Sequence, residues 1–370
     1  MTSFRLGNSE LVKSELSMDL LTQGVLGAAA AQTCFGKKLP RASALIGFVA
    51  GLLADADVFI RPASDPLGGL TYHRHFTHAL AFIPIGALIA ALPFLLVPSL
   101  KKQFRLVYLC ALVAYATHGL LDTCTSYGTM LLWPFSDERI SWDLIAIIDP
   151  AFTLPLIVGL IIACWKRKPL AVRIALALSI TYMGFAFVQH ERAIAMQREL
   201  AAMRGQTIER GRVFPTPLSL LLWRSVYHTP DGLLVADGVH LPYLSEAKAK
   251  PGSATAKITL DAFRAQHVDD EKLIAGFERF LWFTDGYAAA HPDDPQVIGD
   301  MRYCIEPQTF DSLWGFYIDV PETMTMQGRS TRMVSLGLTR SDRFTRAWDA
   351  MMGRDPAFET LANVKANLKP

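Results

Sequence analysis

Long apolar runs separated by short charged loops fill the chain up to about residue 190, and they restrict its fold more than any other feature. A helix needs about 20 apolar residues to cross a bilayer. In hydrocarbon it must also satisfy its own backbone polar groups. Six candidate spans stand at roughly 19–36, 42–60, 78–98, 104–124, 147–165 and 170–190. The third, from His78 to Val97, is the clearest. The first is short and rich in Gly and Ala, a composition that suits close packing inside a bundle. After residue 190, Asp, Glu, Arg and Lys are spread evenly, so a mean hydropathy of +0.25 averages two unlike halves. The expected fold is an all-α polytopic membrane helix bundle of about six spans followed by an α+β soluble domain. The expected division is a tail over 1–18, a transmembrane domain over 19–190 and a soluble domain over 191–370. Residues 1–17 are polar and mixed in charge, unlike a cleavable signal, so the first apolar run is expected to remain in the mature chain.

Loop charges set the orientation. Lys37, Lys38, Arg41, Lys101, Lys102, Arg105, Lys166, Arg167, Lys168 and Arg173 fall in one set of loops. The alternate set carries only Arg61, Arg74 and Arg139. Basic loops stay cytoplasmic, which puts the other set and residues 191–370 outside, in the periplasm of a bacterium. Trp133-Pro-Phe135 and Trp142, in an outer loop, suit a headgroup-level aromatic belt. A net charge of +2 gives no basic excess for nucleic acid. The five cysteines show no CxxC spacing and imply no disulfide framework.

In the soluble half, 223–227 and 232–237 read as paired strands around a His228-Thr-Pro-Asp231 turn. Residues 269–287 read as a helix. Strands are expected at 302–305, 314–318 and 331–336, and a closing helix at 341–352 with Ser341 as N-cap. Val213-Phe-Pro215-Thr-Pro217 reads as a break after a helical stretch at 190–204. Asp149-Pro150 reads as N-cap and first residue of the fifth membrane helix.

Chemistry gathers at the outer ends of the spans: Asp19, Asp55, Asp57, His73, His78, His118 and Asp122. Ionisable groups are costly at a membrane and mark functional positions there. Imidazole with carboxylate suits zinc, and richer carboxylate sets suit manganese or iron. His118 and Asp122 at i, i+4 share a helix face. His75 and His78 at i, i+3 do so if the third helix starts early. Asp55 and Asp57 at i, i+2 diverge on a helix, and point the same way only if the helix ends and the chain is extended there. His190 and His228 lack acidic partners at ligand spacing and read as structural. Thr125-Ser-Tyr-Gly128 either orients substrate or caps a helix end.

Met18-Asp-Leu-Leu-Thr22, Leu53-Ala-Asp55-Ala-Asp57, His73-Arg-His-Phe-Thr77-His78, His118-Gly-Leu-Leu-Asp122, Thr125-Ser-Tyr-Gly128 and Trp133-Pro-Phe135-Ser occur in order over about 18–160. This pattern resembles the YdjM-like inner-membrane metal-dependent hydrolases, which are distantly similar to zinc-dependent phospholipase C and P1-type nucleases. The resemblance implies a divalent metal, zinc before manganese or iron, at Asp55, His73, His78, His118 and Asp122. Gln23 stands where that family carries His. Asp57 is then the candidate general base, with Asp19, Gln23 and Thr125 orienting ligands or substrate. The expected function is a membrane-bound hydrolase that attacks a phospholipid or other phosphoester at the periplasmic face through a metal-bound hydroxide. The alternative is a non-catalytic membrane protein with a structural metal site and a partner-binding soluble domain. Membrane lipid or a membrane-associated substrate is the expected partner.

Overall fold

The computed structural model describes residues 20–60, 67–292, 294–318, 331–335 and 341–367. Asp19 and the N-terminal tail lie outside them. Helix α1 (Leu20–Phe35) packs against α2 (Ala42–Leu52) through glycine. A Cβ on Gly27 would stand 2.5 Å from the Gly47 carbonyl oxygen, and one on Gly47 would stand 2.5 Å from that of Gly27. The backbones touch, as small residues permit. A 3-10 turn, Leu53–Phe59, continues α2. Short α3 (Gly68–Tyr72), α4 (Ile83–Ala91) and long α5 (Phe104–Thr123) follow. Ala50, Ala87, Ala90, Val107, Ala111 and Tyr115 form the core that joins α2, α4 and α5.

Six spans are not what the structure supports. Ala42–Phe59, Phe104–Thr123 and Leu170–Met203 are long and apolar enough to cross a membrane. A fourth crossing exists only if Gly68–His78 and Leu80–Leu96, bent by 59° at a break, are taken together. The run expected to be the clearest span is therefore the broken one. Ala79 is extended (φ −71°, ψ 144°) and the Leu80 N–H donates to the Leu131 carbonyl at 2.9 Å, outside any helix. At 1.5 Å per residue, the 16 residues of α1 and the 17 of α6 (Pro150–Lys166) reach only about 25 Å, short of the ~30 Å hydrocarbon core. Asp149 caps α6 as expected, its carboxylate accepting from the Ala151 and Phe152 amides at 2.9 and 3.3 Å.

Helix α7 (Leu170–Met203) runs unbroken through residue 190, so the composition shift falls inside a helix. Its distal turns carry the first sheet. Gln189 donates to the Leu220 and Leu241 carbonyls, and Gln197 donates to the Arg212 carbonyl and Ser225 Oγ. That sheet has the order β1-β2-β3-β4-β9. Its strands are β1 (Arg210–Pro215), β2 (Leu222–His228), β3 (Leu233–His240), β4 (Lys248–Ala256) and β9 (Glu359–Thr360), all antiparallel. The β2–β3 hairpin matches the expected pair, with Leu222 opposite His240 and His228 opposite Leu234. The segment read as a break is instead the end of β1.

Helices α8 (Leu260–Gln266) and α9 (Glu271–Phe283) precede a second antiparallel sheet. It comprises β5 (Ala288–His291), β6 (Asp294–Asp300), β7 (Trp314–Ile318) and β8 (Thr331–Ser335). Residues 302–305 are not a strand. Asp300 Oδ1 accepts from the Arg302 amide at 3.1 Å, an Asx-type turn that removes it from a ladder. Only the Cys304–Ser312 bridge remains there. Helix α10 (Ser341–Met351) does not close the chain, because β9 and α11 (Leu361–Asn367) follow.

The two halves are clasped. Leu67 and Leu70, around α3, and Tyr127 enter the core formed by Phe263, Phe277, Phe280 and Phe283. Arg302 Nη1 donates to the Ser126 and Tyr127 carbonyls at 3.2 and 3.1 Å. Arg212 grips both oxygens of Asp143 at 2.7 and 2.8 Å.

Candidate metal centre

Three breaks in helical structure and one intact helix meet at a point. Asp55 and Asp57 sit on the 3-10 turn after α2, and His73 follows α3. His78 ends the 3-10 turn Phe76–His78, and His118 and Asp122 occupy the last turns of α5. All six are buried. Asp55, His78, His118 and Asp122 each bring one ligand atom within 4.8 Å of the others, and Asp55, Asp57 and His73 form a second such group.

The tautomers follow from the outer partners. His118 Nδ1 lies 2.6 Å from the Gly51 carbonyl oxygen, which only accepts, so Nδ1 carries the proton. His78 Nδ1 lies 3.3 Å from Asp57 Oδ2 and 3.0 Å from Thr77 Oγ. Thr77 Oγ spends its own proton on Asp57 Oδ2 at 3.0 Å, so His78 Nδ1 is again the donor. Both Nε2 atoms then turn bare lone pairs inward, only 3.0 Å apart. The hydrogen bond carried by one ring nitrogen fixes the state of the other.

Two carboxylates complete the group. His78 Nε2 is 3.4 Å from Asp55 Oδ1 and 3.1 Å from Asp122 Oδ2. His118 Nε2 is 3.3 and 3.6 Å from the same two oxygens. Both Asp55 oxygens and Asp122 Oδ2 are buried without a hydrogen-bond donor. Four acceptors thus converge with the Arg74 guanidinium beside just one of them, its Nε 3.3 Å from Asp122 Oδ2, an arrangement that leaves the others costly to bury without a further cation. One proton would join one pair; a divalent ion answers all four atoms. A tetrahedron with edges of about 3.3 Å has its centre ~2.0 Å from each corner, the ordinary Zn–N and Zn–O length.

Asp57 sits behind His78, on the Nδ1 side of the ring. It also accepts from His73 Nδ1 at 2.8 Å and the Arg74 amide at 2.9 Å. The turn carrying the two carboxylates is 3-10 and not extended as expected. It sends Asp55 to one edge of His78 and Asp57 to the other. Gln23 Nε2 donates to Asp122 Oδ1 at 2.8 Å, leaving Oδ2 turned toward the histidines. Thr125 Oγ donates to the Asp122 carbonyl at 2.7 Å, a helix-end cap, which is one of the two roles its sequence context left open. His75 stays apart, 5.5 Å from Trp133 between ring centroids.

Arg74 was missed. It is fully buried at φ 60°, a conformation uncommon outside glycine. Its Nε lies 3.3 Å from Asp122 Oδ2 and its Nη1 donates to Thr125 Oγ at 2.8 Å. Its sequence signal was a basic residue amid outer-face ligands, where it counted only as a loop charge. The Gly51 carbonyl carries no sequence signal, since any residue supplies one.

Fold and site together define a helical membrane protein with a buried two-histidine, two-aspartate centre that could hold a metal ion. The model of the YdjM inner membrane protein family matches residues 18–193, and the chain belongs to that family. Inner membrane protein YbcI of Escherichia coli (strain K12) is 32% identical over 136 residues, covering 33% of this chain and 75% of that protein. The protein called uncharacterized protein YfhP of Bacillus subtilis (strain 168) is 27% identical over 211 residues, 56% of this chain and 61% of that protein. No solved structure matches the chain.

Proposed function

We propose that the chain is a membrane-bound, metal-dependent hydrolase of phosphoesters, with its site at the periplasmic face. The observation that carries this reading is the convergence of two bare imidazole nitrogens on two buried carboxylate oxygens, with five of their separations at 3.0–3.6 Å. A bound divalent ion would polarise a phosphoryl oxygen and acidify a water. Asp55, His78, His118 and Asp122 hold it. Asp57 keeps His73 and His78 in register, a positioning role in place of the base role expected from sequence, because three N–H and O–H donors already engage its oxygens. Arg74 Nη2, buried without an acceptor among the described residues, is placed to take a negatively charged substrate oxygen. The ten-to-three split of basic residues between alternate loops favours an outward site and soluble domain only if α1 and α6 insert as well, making six crossings.

One observation favours the non-catalytic alternative: four protein atoms already converge, the full ligand number of a closed site, and closed sites are structural. A hydrolase must widen the coordination; the second oxygen of Asp55 is on hand for that, while Arg74 Nη2, a cation and no metal ligand, is left to the substrate. Metal analysis of the purified full chain, beside hydrolysis of a panel of phosphoesters and phospholipids, separates the two. The hydrolase reading expects stoichiometric metal and turnover in the wild type, with both lost in Asp122→Ala. Stoichiometric metal with no turnover on any substrate would leave the structural reading.

A further inference from the structure

A cavity of about 870 Å³ opens where the membrane helices meet the soluble half. Loop residues 137–144, one face of α7, β1 and the end of α9 enclose it. At this level α7 leaves its apolar stretch for Gln189, His190, Glu191 and Arg192. Trp142, Phe187 and Trp282 line it while remaining 46%, 54% and 41% exposed. Exposed aromatics of this kind sit among lipid headgroups.

Four arginines line the cavity, and three of them are matched. Arg212 meets Asp143 at 2.7 Å, Arg302 meets Asp300 at 2.7 Å, and Arg210 pairs with Asp285. Arg139 meets no carboxylate within ion-pair reach among the described residues. Its guanidinium lies 5.2, 5.0 and 5.3 Å from the ring centroids of Tyr127, Trp282 and Phe283. Its Nη2 donates to the Tyr127 and Gly128 carbonyls and its Nη1 to the Leu70 carbonyl at 3.4 Å, while its buried Nε has no acceptor among the described residues. Burial, then the neighbouring Arg302 and Arg74, lower its pKa to about 10. Next to it, Asp137 and Glu138 are exposed at the mouth. We infer that this cavity holds the headgroup of a zwitterionic phospholipid, its phosphate against Arg139 and its amine against Asp137 and Glu138. A headgroup without the amine would bring only negative charge to those carboxylates. The site stands apart from hydrolysis, because Tyr127 separates it from His73, with ring centroids 5.3 Å apart.

Native mass spectrometry of the detergent-solubilised full chain tests this, titrated with phosphatidylethanolamine, phosphatidylglycerol, phosphoethanolamine and inorganic phosphate. A saturating one-to-one phosphatidylethanolamine adduct is expected, about tenfold tighter than phosphatidylglycerol. Arg139→Gln should weaken it about tenfold. Arg139 also braces backbone carbonyls, so the exposed double variant Asp137→Asn, Glu138→Gln supplies a second arm. It should bring the two lipids to within about threefold of each other. Equal binding of both lipids by the wild type, or full binding by folded Arg139→Gln, would overturn the inference. Phosphoethanolamine or phosphate binding as tightly as the lipid would make the cavity a soluble-phosphate site and overturn it too. Asp122→Asn, which disables the metal centre, is expected to leave lipid binding unchanged. Loss there would move the lipid to the metal centre and overturn the assignment to this cavity.

Discussion

Gly119 directly follows the candidate ligand His118 on α5 and offers no ligand atom itself, yet its hydrogen side chain sets the width of the centre. A Cβ at this position would stand 2.3 Å from the His78 carbonyl oxygen and 3.3 Å from Leu131 Cδ1. Ordinary contact begins near 3.4 Å, so Gly119→Ala must drive α5 and the His78 backbone about 1 Å apart. Relief from a flexible side chain is not available, because the blocking atom is main chain. The His78 and His118 Nε2 atoms, 3.0 Å apart, separate by a similar amount. Metal–ligand lengths tolerate about 0.2 Å. Partial relaxation leaves an affinity loss of roughly 10–100-fold, or about 1.4–2.8 kcal/mol. Overpacking itself costs ~1–3 kcal/mol of stability. Metal retention against a graded chelator, in detergent and with far-UV circular dichroism to confirm helix content, reads the effect. Gly184→Ala on α7 is the control, since nothing lies within 4 Å of its added methyl. A Gly119→Ala protein with wild-type helicity and wild-type metal retention would refute the shared-site geometry.

Gln23→Leu removes the only hydrogen bond aimed at Asp122 Oδ1 among the described residues and should cost about tenfold in metal affinity, read by the same chelator titration. Arg302→Leu leaves buried Asp300 without its guanidinium and unlatches the Ser126–Tyr127 loop. Thermal melting should record a loss of ~3–5 kcal/mol. His228 is buried with neither ring nitrogen hydrogen-bonded among the described residues, and burial, then Lys257 and Arg210, lower its pKa from 6.5 to about 4. A depressed histidine contributes its full stability above pH 6.5 and loses it as pH falls toward 4. The loss is ~1.4 kcal/mol per unit and about 3 kcal/mol in all. His228→Phe should flatten that part of the stability–pH curve, and an unchanged slope would show that other groups carry it.

The converging His and Asp residues were legible as a candidate cluster because each announces its chemistry and each stands at the end of an apolar run. His118 and Asp122 needed only helical spacing, and Asp149-Pro150 stated its own cap. The break at Ala79 was not legible. The residues after His78 are apolar throughout, and composition cannot distinguish a straight span from one folded at an extended residue. Strand β4 was missed because Lys248-Ala-Lys-Pro-Gly-Ser-Ala-Thr-Ala256 has no apolar alternation; it is held by register with β3. Arg74 was hidden by its own charge. A loop arginine counts toward topology, and nothing local reveals that it is buried beside Asp122.

The seating of Leu67 and Leu70 among Phe263, Phe277, Phe280 and Phe283 has a genetic consequence. The segment bearing His73 and Arg74 borrows its anchorage from residues some 200 positions downstream. A screen for inactive alleles would therefore return substitutions such as Phe280→Ser alongside the ligand positions, although the two lie in different halves of the gene. Suppressors of weak Leu70 alleles would be sought on α9 before they were sought in the membrane.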